Sequence, residues 1–254
     1  TIGAEAMEAG IRTVTFVDVG AATDSVTVGA GFTAALTVNL DSDATGINTV
    51  DATAYTGSLS VVATAVNMDT RSNALTGGTG TDTLTVTSSG DDDTIRVDAI
   101  TLFENINLID DGDATADTLT IALADASVAD GATLTIDASG LTTDDATIDL
   151  SADTNGNNVY NGGAGVDTIT LSASDLADSI TTNAGIDIIN FASANLTSID
   201  VIDGGAGVDI MNVTDDVAIV DADFTNVTNV ETLSAASGIS TIVTLGAEAM
   251  GAGI

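Results

Sequence analysis

The sequence predicts an all-β fold, built mainly as a parallel β-solenoid or β-roll in which short strands stack rung upon rung. Three observations support this prediction. Short runs alternate apolar and polar residues with period two, clusters of Gly, Asp, Asn and Ser bound these runs, and Asp-led strand starts recur at near-regular steps. A β-sandwich would give similar short strands and is the alternative, but it does not require such regular spacing.

The strands are predicted from runs of about four to six residues in which Thr, Val and Ile dominate. Residues of these types favour strands with one buried and one solvated face. The clearest runs are Thr83–Thr87, Thr118–Ile121, Thr133–Asp137 and Thr168–Leu171. The only helices predicted are short, with one or two turns each, at Ala4–Ala9, Ala247–Gly251 and Ser172–Ala177.

The spacing of Asp residues at the starts of these runs predicts the size of the coil. Asp82 and Asp93 are 11 residues apart, Asp167 and Asp178 are also 11 apart, and Asp178 and Asp187 are 9 apart. Two such steps make one turn, so we expect a coil of roughly 18–22 residues. Residues 50–85 and 136–170 are also similar to each other, at an offset of 85 to 86.

The chain divides into three parts by its turn signals. Residues 75–235 carry the Asp-turn-strand units and are predicted to form the solenoid, whereas residues 1–74 lack them and their fold stays open. Residues 245–254 (LGAEAMGAGI) repeat eight of the ten residues of 2–11 (IGAEAMEAGI) at an offset of 243. We therefore interpret residues 236–254 as the start of a second repeat, and the chain as one unit of a tandem array without a secretion signal of its own.

Composition excludes several functional classes. The 254 residues contain 38 acids against three Arg, for a net charge of −35, and no His, Cys, Pro or Trp. Soft-ligand metal sites and Cys–His or Ser–His–Asp catalysis are impossible without those residues. Three Arg cannot form a nucleic-acid-binding patch, and no apolar run reaches the roughly 20 residues that membrane insertion requires. Carboxylates and backbone carbonyls remain, which are the ligands of Ca²⁺.

One motif, G-G-x-G-x-D-x-U-x with U a large apolar residue, occurs three times. Its glycines allow carbonyl oxygens to converge, its Asp adds an anionic oxygen, and U anchors the turn in the core. The three copies are residues 77–85, 162–170 and 204–212, and degenerate relatives occupy 90–95, 110–119 and 183–189.

These segments resemble the calcium-binding nonapeptide of hemolysin-type RTX proteins. Residues 103–108 and 224–233 also resemble strands that accompany such repeats in bacterial S-layer and giant surface proteins. The resemblance implies turns that bind Ca²⁺ between successive coils. RTX nonapeptides normally run in uninterrupted tandem, whereas each copy here stands alone, so we expect a few sites and not a continuous series. The expected metal ligands are Gly77, Thr79, Asp82, Asp91, Asp93, Asp111, Asp113, Asp117, Gly162, Ala164, Asp167, Asp178, Asp187, Asp203, Gly204, Ala206 and Asp209.

The resemblance implies an extracellular, calcium-stabilised structural module of a self-assembling bacterial surface protein, such as an S-layer, a matrix fibre or an adhesin stalk. Its expected partners are calcium and copies of itself or neighbouring modules, and we expect no enzymatic activity. Two further hypotheses stay open. Thr-x-Thr pairs such as Thr83/Thr85, Thr118/Thr120, Thr133/Thr135 and Thr168/Thr170 are compatible with an ice- or glycan-binding adhesin module, although their irregular spacing argues against a lattice-matching array. The second hypothesis is that the protein is a carboxylate-dependent glycan-active enzyme.

Overall fold

The computed structural model describes residues 1–17, 23–40, 46–69, 73–173, 176–240 and 242–254. The first half of this chain contains β1 (Thr13–Thr15), β2 (Thr23–Thr27), β3 (Leu36–Asn39), β4 (Ile47–Asp51), β5 (Leu59–Thr64), β6 (Ala74–Thr76), β7 (Thr83–Thr87), β8 (Asp93–Arg96), β9 (Ile100–Thr101), β10 (Asn105–Ile109), β11 (Thr118–Ala122) and β12 (Thr133–Gly140). The second half contains β13 (Asp145–Asp149), β14 (Asn157–Asn161), β15 (Thr168–Thr170), β16 (Ser179–Thr181), β17 (Ala184–Gly185), β18 (Ile188–Phe191), β19 (Val201–Asp203), β20 (Ala206–Gly207), β21 (Ile210–Val213), β22 (Val227–Thr228) and β23 (Thr232–Ala235).

The described helices are short and lie at the corners of the coil. Three are α-helices, namely α1 (Ala4–Glu8), α2 (Ala65–Asp69) and α3 (Ala247–Ala252), and three are 3₁₀ turns at Asp125–Ser127, Ser193–Asn195 and Asp221–Phe224. The helices predicted at the two ends are therefore confirmed. The one predicted at Ser172–Ala177 is wrong where the chain is described, since residues 172, 173, 176 and 177 are not helical; residues 174 and 175 lie outside the described residues. Sequence reasoning did not predict α2.

The strands form a parallel β-solenoid, as the sequence predicted. Sheet 1 has ten strands in the order β1-β3-β5-β7-β10-β12-β14-β16-β19-β22. Sheet 2 has seven, β8-β11-β13-β15-β18-β21-β23, sheet 3 has β2-β4-β6-β9, and β17 pairs with β20 at a corner. Each rung contributes one strand to a sheet, so neighbours in a sheet are successive turns of the coil.

The coil is wider in its middle than the sequence predicted. Register partners Thr168 and Ile188 lie 20 residues apart, within the expected 18–22, but Asn105 pairs with Thr135, 30 residues later. The extra residues include the 3₁₀ turn at Asp125–Ser127, which lies between the strands. The register of β10 and β12 shifts by one residue between Asn107 and Ile109. Corner loops thus absorb the irregular spacing.

Residues 1–74, whose fold the sequence left open, belong to the same solenoid. β5 pairs with β7 over five residue pairs, and β6 pairs with β9, so sheets 1 and 3 continue through position 74 without a break. Sheet 2 begins only at β8, where α2 packs beside its first strand.

The core is a single stack of inward-facing aliphatic side chains. Strands such as β5 and β7 alternate buried and outward residues, with Leu59 and Leu84 almost fully buried. All five Phe and both Tyr are buried as well. Within the described ranges, no helix is long and apolar enough to cross a membrane.

Candidate functional site

Acidic side chains immediately before the strands stack into two columns, one beside each large sheet. The register of β15, β18, β21 and β23 aligns the residues before them into column 2, at the edge of sheet 2. Column 1 lies at the edge of sheet 1 and is formed in two separate stretches. Column 2 contains Asp167, Asp187, Asp209 and Glu231, and column 1 contains Asp82 with Glu104 and Asp178 with Asp200.

In column 2 each carboxylate accepts a hydrogen bond from the backbone of the rung before it. The N–H of Ala146 donates to Asp167 Oδ1 at 3.0 Å, and the N–H of Asp167 donates to Asp187 Oδ1 at 2.8 Å. The series continues from Asp187 N–H to Asp209 Oδ1 at 2.9 Å, and from Asp209 N–H to Glu231 Oε2 at 2.8 Å. Charged acceptors strengthen such bonds, so column 2 ties five successive rungs together.

Column 1 uses the same bond. Leu59 N–H donates to Asp82 Oδ1 at 2.8 Å, and Asp82 N–H donates to Glu104 Oε2 at 2.7 Å. Further along the coil, Asn158 N–H donates to Asp178 Oδ1 at 3.2 Å, and the same contact joins Asp178 N–H to Asp200 Oδ1 at 2.9 Å. Between these two stretches the column position is occupied by Leu134 and Asn158, and the carboxylates are interrupted.

Two nonapeptide carboxylates also close their own turns with the second oxygen. Gly78 N–H donates to Asp82 Oδ2 at 2.5 Å, and Gly163 N–H donates to Asp167 Oδ2 at 2.9 Å. In the third copy, Asp209 Oδ2 is buried and has no hydrogen-bond partner among the described residues. Two of the three motif carboxylates thus have both oxygens bonded to backbone amides.

The motif glycines are required by the close approach of neighbouring rungs. A Cβ atom on Gly77 would lie 1.9 Å from Leu102 O, one on Gly162 would lie 2.4 Å from Thr182 O, and one on Gly204 would lie 2.0 Å from Asn229 O. Any side chain at these positions would therefore push the next rung away.

The third motif positions, Thr79, Ala164 and Ala206, are exposed, and each donates its backbone N–H to a carbonyl of the rung before it. The three motifs are not stacked on one another. Residues 162–170 and 204–212 lead into sheet 2 with residues 183–189 between them, whereas residues 77–85 lead into sheet 1.

The nonapeptide turns in this geometry do not fit a calcium site. Their carboxylates face the backbone of the preceding rung, and in two of the three copies both oxygens are already bonded to backbone amides. Nowhere in the described part of the chain, the carboxylates before β11 and β13 included, do three or more acidic side chains form a ready-made metal site. Ca²⁺ requires six to eight oxygen ligands. The sequence pattern of these turns is explained by their structural role, because their glycines and carboxylates join one rung to the next.

Among the described residues, Asp187 and Asp209 of column 2 each keep one buried oxygen without a partner, and so do two members of a second group of carboxylates. We call Asp92, Asp111, Asp113, Asp117 and Asp144 the acidic corner. Asp117 and Asp144 are 6% and 1% exposed, and the Oδ2 atoms of both lack a partner within the described chain. Asp117 N–H donates to Asp144 Oδ1 at 3.3 Å. Burial raises the pKa of Asp117, and the charges of the other four members raise it further.

The remaining predicted ligands lie in two separate places, Asp91 and Asp93 in one and Asp203 in the other. Asp91 is exposed beside buried Asp93, which accepts the Ser89 hydroxyl at 2.5 Å and whose pKa is raised chiefly by burial. Asp203 accepts the N–H of Gly205 at 3.0 Å and the amide of Asn229 at 2.7 Å.

Burial dominates the protonation behaviour of four column members, Asp167, Asp178, Asp187 and Asp209. It raises the pKa of Asp167 to about 6, against hydrogen bonds from Gly163 and Ala146 that lower it. The pKa values of Asp178, Asp187 and Asp209 are raised for the same reason. These carboxylates resist ionisation because neighbouring rungs remove them from water.

Sequence reasoning missed five members of these sites: Asp92, Glu104, Asp144, Asp200 and Glu231. A signal for all five was present, since each stands one residue before a strand, as Asp82 and Asp167 do. Glu104 and Glu231 fall in the two segments interpreted as accompanying strands, and their role depends on register that those segments do not reveal.

No protein-family model, no curated protein and no solved structure matches this chain. The fold and the hydrogen-bonded columns define a parallel β-solenoid whose rungs are joined at their corners by buried carboxylates.

Proposed function

We propose that this protein is an extracellular, non-enzymatic structural module of a self-assembling bacterial surface protein, and that Ca²⁺ stabilises it. The observation that carries the proposal is a continuous parallel coil whose buried carboxylates fasten one rung to the next. Such a coil supplies length and rigidity, and each rung is stabilised mainly by its neighbours. The surface location follows from the RTX resemblance.

The cleft beside Glu104, in the described part of the chain, has few of the features that an active site needs. A cleft of about 100 Å³ lies beside Glu104, lined mainly by apolar residues such as Phe103 and Val128. It is smaller than the roughly 300–1,000 Å³ of typical ligand pockets. Its one carboxylate, Glu104, already accepts the Asp82 N–H. A pair of free carboxylates for acid–base chemistry is therefore absent from this cleft.

We place calcium at the acidic corner and not at the nonapeptide turns. Asp117 and Asp144 would provide buried oxygens that have no protein partner, and exposed Asp111 and Asp113 stand close enough to raise the pKa of Asp117. Carboxylates, carbonyls and water together meet the needs of a hard cation. Because ions that bind only the folded chain stabilise it, calcium uptake becomes folding free energy.

Thermal unfolding in chelator and in CaCl₂ tests this proposal. We expect Ca²⁺ to raise the unfolding temperature of the native chain and to bind measurably by calorimetry, with MgCl₂ much weaker. The double variant Asp117→Asn/Asp144→Asn should lose most of that rise, because it removes two anionic ligands while keeping amide oxygens as hydrogen-bond acceptors. At a concentration one hundred times Kd, the lost stabilisation is about 2.7 kcal/mol.

Asp209→Asn is the matched control, since it changes a buried nonapeptide carboxylate that also has an unpartnered oxygen. It should retain the calcium response. If Asp209→Asn abolishes the response and the double variant does not, the turns are the calcium sites. If Ca²⁺ has no effect on the native chain, the calcium part of the proposal is wrong.

A row of register-aligned polar side chains, four with hydroxyl groups and one with an amide, favours ice binding as a second candidate function. On sheet 1, Thr13, Thr37, Ser60, Thr83 and Asn105 are direct register partners on five successive rungs. Strands in a sheet are about 4.8 Å apart, so these groups form a row of fixed period. The uneven spacing along the chain, which argued against such an array, is taken up in the corners.

The composition of this face favours a neutral, periodic partner. The outward positions of β1, β3, β5, β7 and β10 carry no charge, and the side chains of Thr37, Ser60 and Thr83 make no hydrogen bond with the described part of the chain. All Phe and Tyr side chains are buried, so none is available to stack on a sugar ring. Ordered water therefore fits this face better than a glycan.

Thermal hysteresis and inhibition of ice recrystallisation test this second candidate. We expect activity from the native chain and its loss in Thr37→Tyr/Thr83→Tyr, because bulky rings break the row. Thr120→Tyr places the same ring on sheet 2 and should retain the activity. A native chain without any thermal hysteresis rules ice binding out and leaves the structural proposal intact.

A further inference from the structure

Residues 1–11 and 244–254 adopt the same local structure at opposite ends of the solenoid. They share nine of eleven residues at an offset of 243. Ile11 N–H donates to Ala6 O and Ile254 N–H to Ala249 O, 3.1 and 3.2 Å respectively. The glycines before the two Ile residues both have positive φ, +83° and +110°. We call this unit the end element.

At the start of the chain, the contacts of the end element with other described residues are made to the rung that follows it. Ile2 forms a parallel bridge with Val28, and Gly29 N–H donates to Ile2 O at 2.8 Å. The backbone N–H and the hydroxyl of Thr33 both lie 3.4 Å from Met7 Sδ. The opposite side of this copy is open, and Ala9 is exposed.

At the end of the chain, the contacts that the structure describes for the same element are made to the rung that precedes it. The Asp221 carboxylate accepts the N–H groups of Gly246 at 2.7 Å and Ala249 at 3.1 Å, and Val230 N–H donates to Ala252 O at 3.0 Å. Ala249 and Ala252 are 1% exposed.

The exposed residues of one copy correspond to the contacting residues of the other. Leu245 is 53% exposed and Met250 is 74% exposed, and their counterparts are Ile2 and Met7, which contact the following rung. The copy at the start of the chain thus makes the contacts to a following rung, and the copy at the end makes the contacts to a preceding rung. One element between two rungs would make both sets.

We infer that two copies of this chain join end to end at a step of 243 residues, with one end element lying between Asp221 of the first copy and Thr33 of the second. This rests on the proposed structural function and specifies its partner, a second copy of the chain. The arrangement brings β1 of one copy to the open edge of β22, so that sheet 1 continues across the junction. Since the two ends differ, the contact is head to tail and adds units in a line.

Two separate chains bring two end elements to this junction, residues 244–254 of the first and residues 1–11 of the second, but the junction has room for one. One of the two must therefore be displaced before separate chains can join in this way. A fusion tests the inference directly: residues 1–254 followed at once by residues 12–254, so that residues 244–254 serve both copies. A reference fusion of two complete 1–254 chains contains the element twice, and the single chain is the baseline.

Oxidation of methionine by peroxide, followed by mass spectrometry in chelator, gives the readout. In the in-register fusion, Met250 of the first copy should oxidise at the slow rate of Met7, while Met250 of the second copy stays as fast as in the single chain. Urea unfolding should show one transition with a larger denaturant slope. The reference fusion should leave both Met250 residues fast.

Equal oxidation of both Met250 residues in the in-register fusion overturns the inference, as does failure of that fusion to fold when the reference fusion folds. Exchange variants provide a test without fusion: Ile2→Leu/Glu8→Gly and Leu245→Ile/Gly251→Glu convert each end element into the other. Both should keep the unfolding midpoint of the native chain, and a large loss in either contradicts a shared element. Because chelator is present throughout, these outcomes do not depend on the calcium proposal.

Discussion

The carboxylates of this chain fall into two kinds with opposite protonation behaviour. Asp209 is buried, and burial followed by the charges of Glu231 and Asp203 raises its pKa. Half-buried Asp110 instead accepts hydrogen bonds from Thr142 and Thr143, which hold its pKa well below the usual 3.8. A raised pKa means that ionisation opposes folding, whereas a lowered pKa means that ionisation favours it.

Asp209→Asn should therefore increase the free energy of unfolding at neutral pH in chelator. The amide oxygen can keep the bond from Asp187 N–H, and no charge is buried. For native Asp209 the destabilising contribution begins as pH rises above the unfolded pKa and is complete above the raised folded pKa. The gain from the variant should shrink as pH falls through that window, which urea unfolding followed by circular dichroism measures.

Asp110→Asn is the control of opposite sign. It should lower stability at neutral pH, and its effect should disappear only in strongly acidic solution, below the lowered folded pKa. A variant of Asp209 that is destabilised at all pH values would show that its charge is needed, for instance by a bound cation.

At the scale of the element, the corners depend on glycines that let two rungs touch. β17 and β20 pair at one corner, and a Cβ on Gly207 would lie 1.7 Å from Gly185 O. The same approach occurs one rung earlier, where a Cβ on Gly185 would lie 2.2 Å from Gly165 O. Three consecutive rungs are therefore in backbone contact at this corner.

Gly207→Ala should destabilise the protein by about 1–3 kcal/mol, the usual cost of overpacking, because the methyl group forces the rungs apart. The measurement is the urea midpoint at constant slope. Gly251→Ala is matched to it: its Cβ would meet nothing within 4 Å, and Ala favours the helix in which Gly251 lies. An equal loss in both variants would mean that the corner contact contributes nothing.

At the scale of the whole molecule, charge and architecture act against each other. The net charge of −35 is carried by a coil that stacks acidic residues at nearly the distance between strands. Hydrogen bonds to backbone amides reduce the repulsion within the columns, and bound cations would reduce it further. A sodium chloride titration alongside the calcium titration separates general screening from specific binding, since screening alone acts equally on the native chain and the Asp117→Asn/Asp144→Asn variant.

The sequence by itself determined the properties that depend on near neighbours. Alternation within β7, β11 and β15 revealed strands with one buried face, the glycine motif revealed the turns, and the repeated ends revealed α1 and α3. These features follow from residues within one turn of each other, where local chemistry decides the backbone conformation.

Only the tertiary structure decided which corner each Asp occupies and what its oxygens bind. The partner of Asp167 is Ala146 in the rung before it, and the partners of the three nonapeptides lie in other rungs and other sheets. Because the coil takes 20 residues at one rung and 30 at another, equal steps along the chain do not give equal positions in space. Rung register, set by packing of the buried core, decides which backbone amide of the preceding rung each carboxylate accepts, and the spacing along the chain does not reveal that partner.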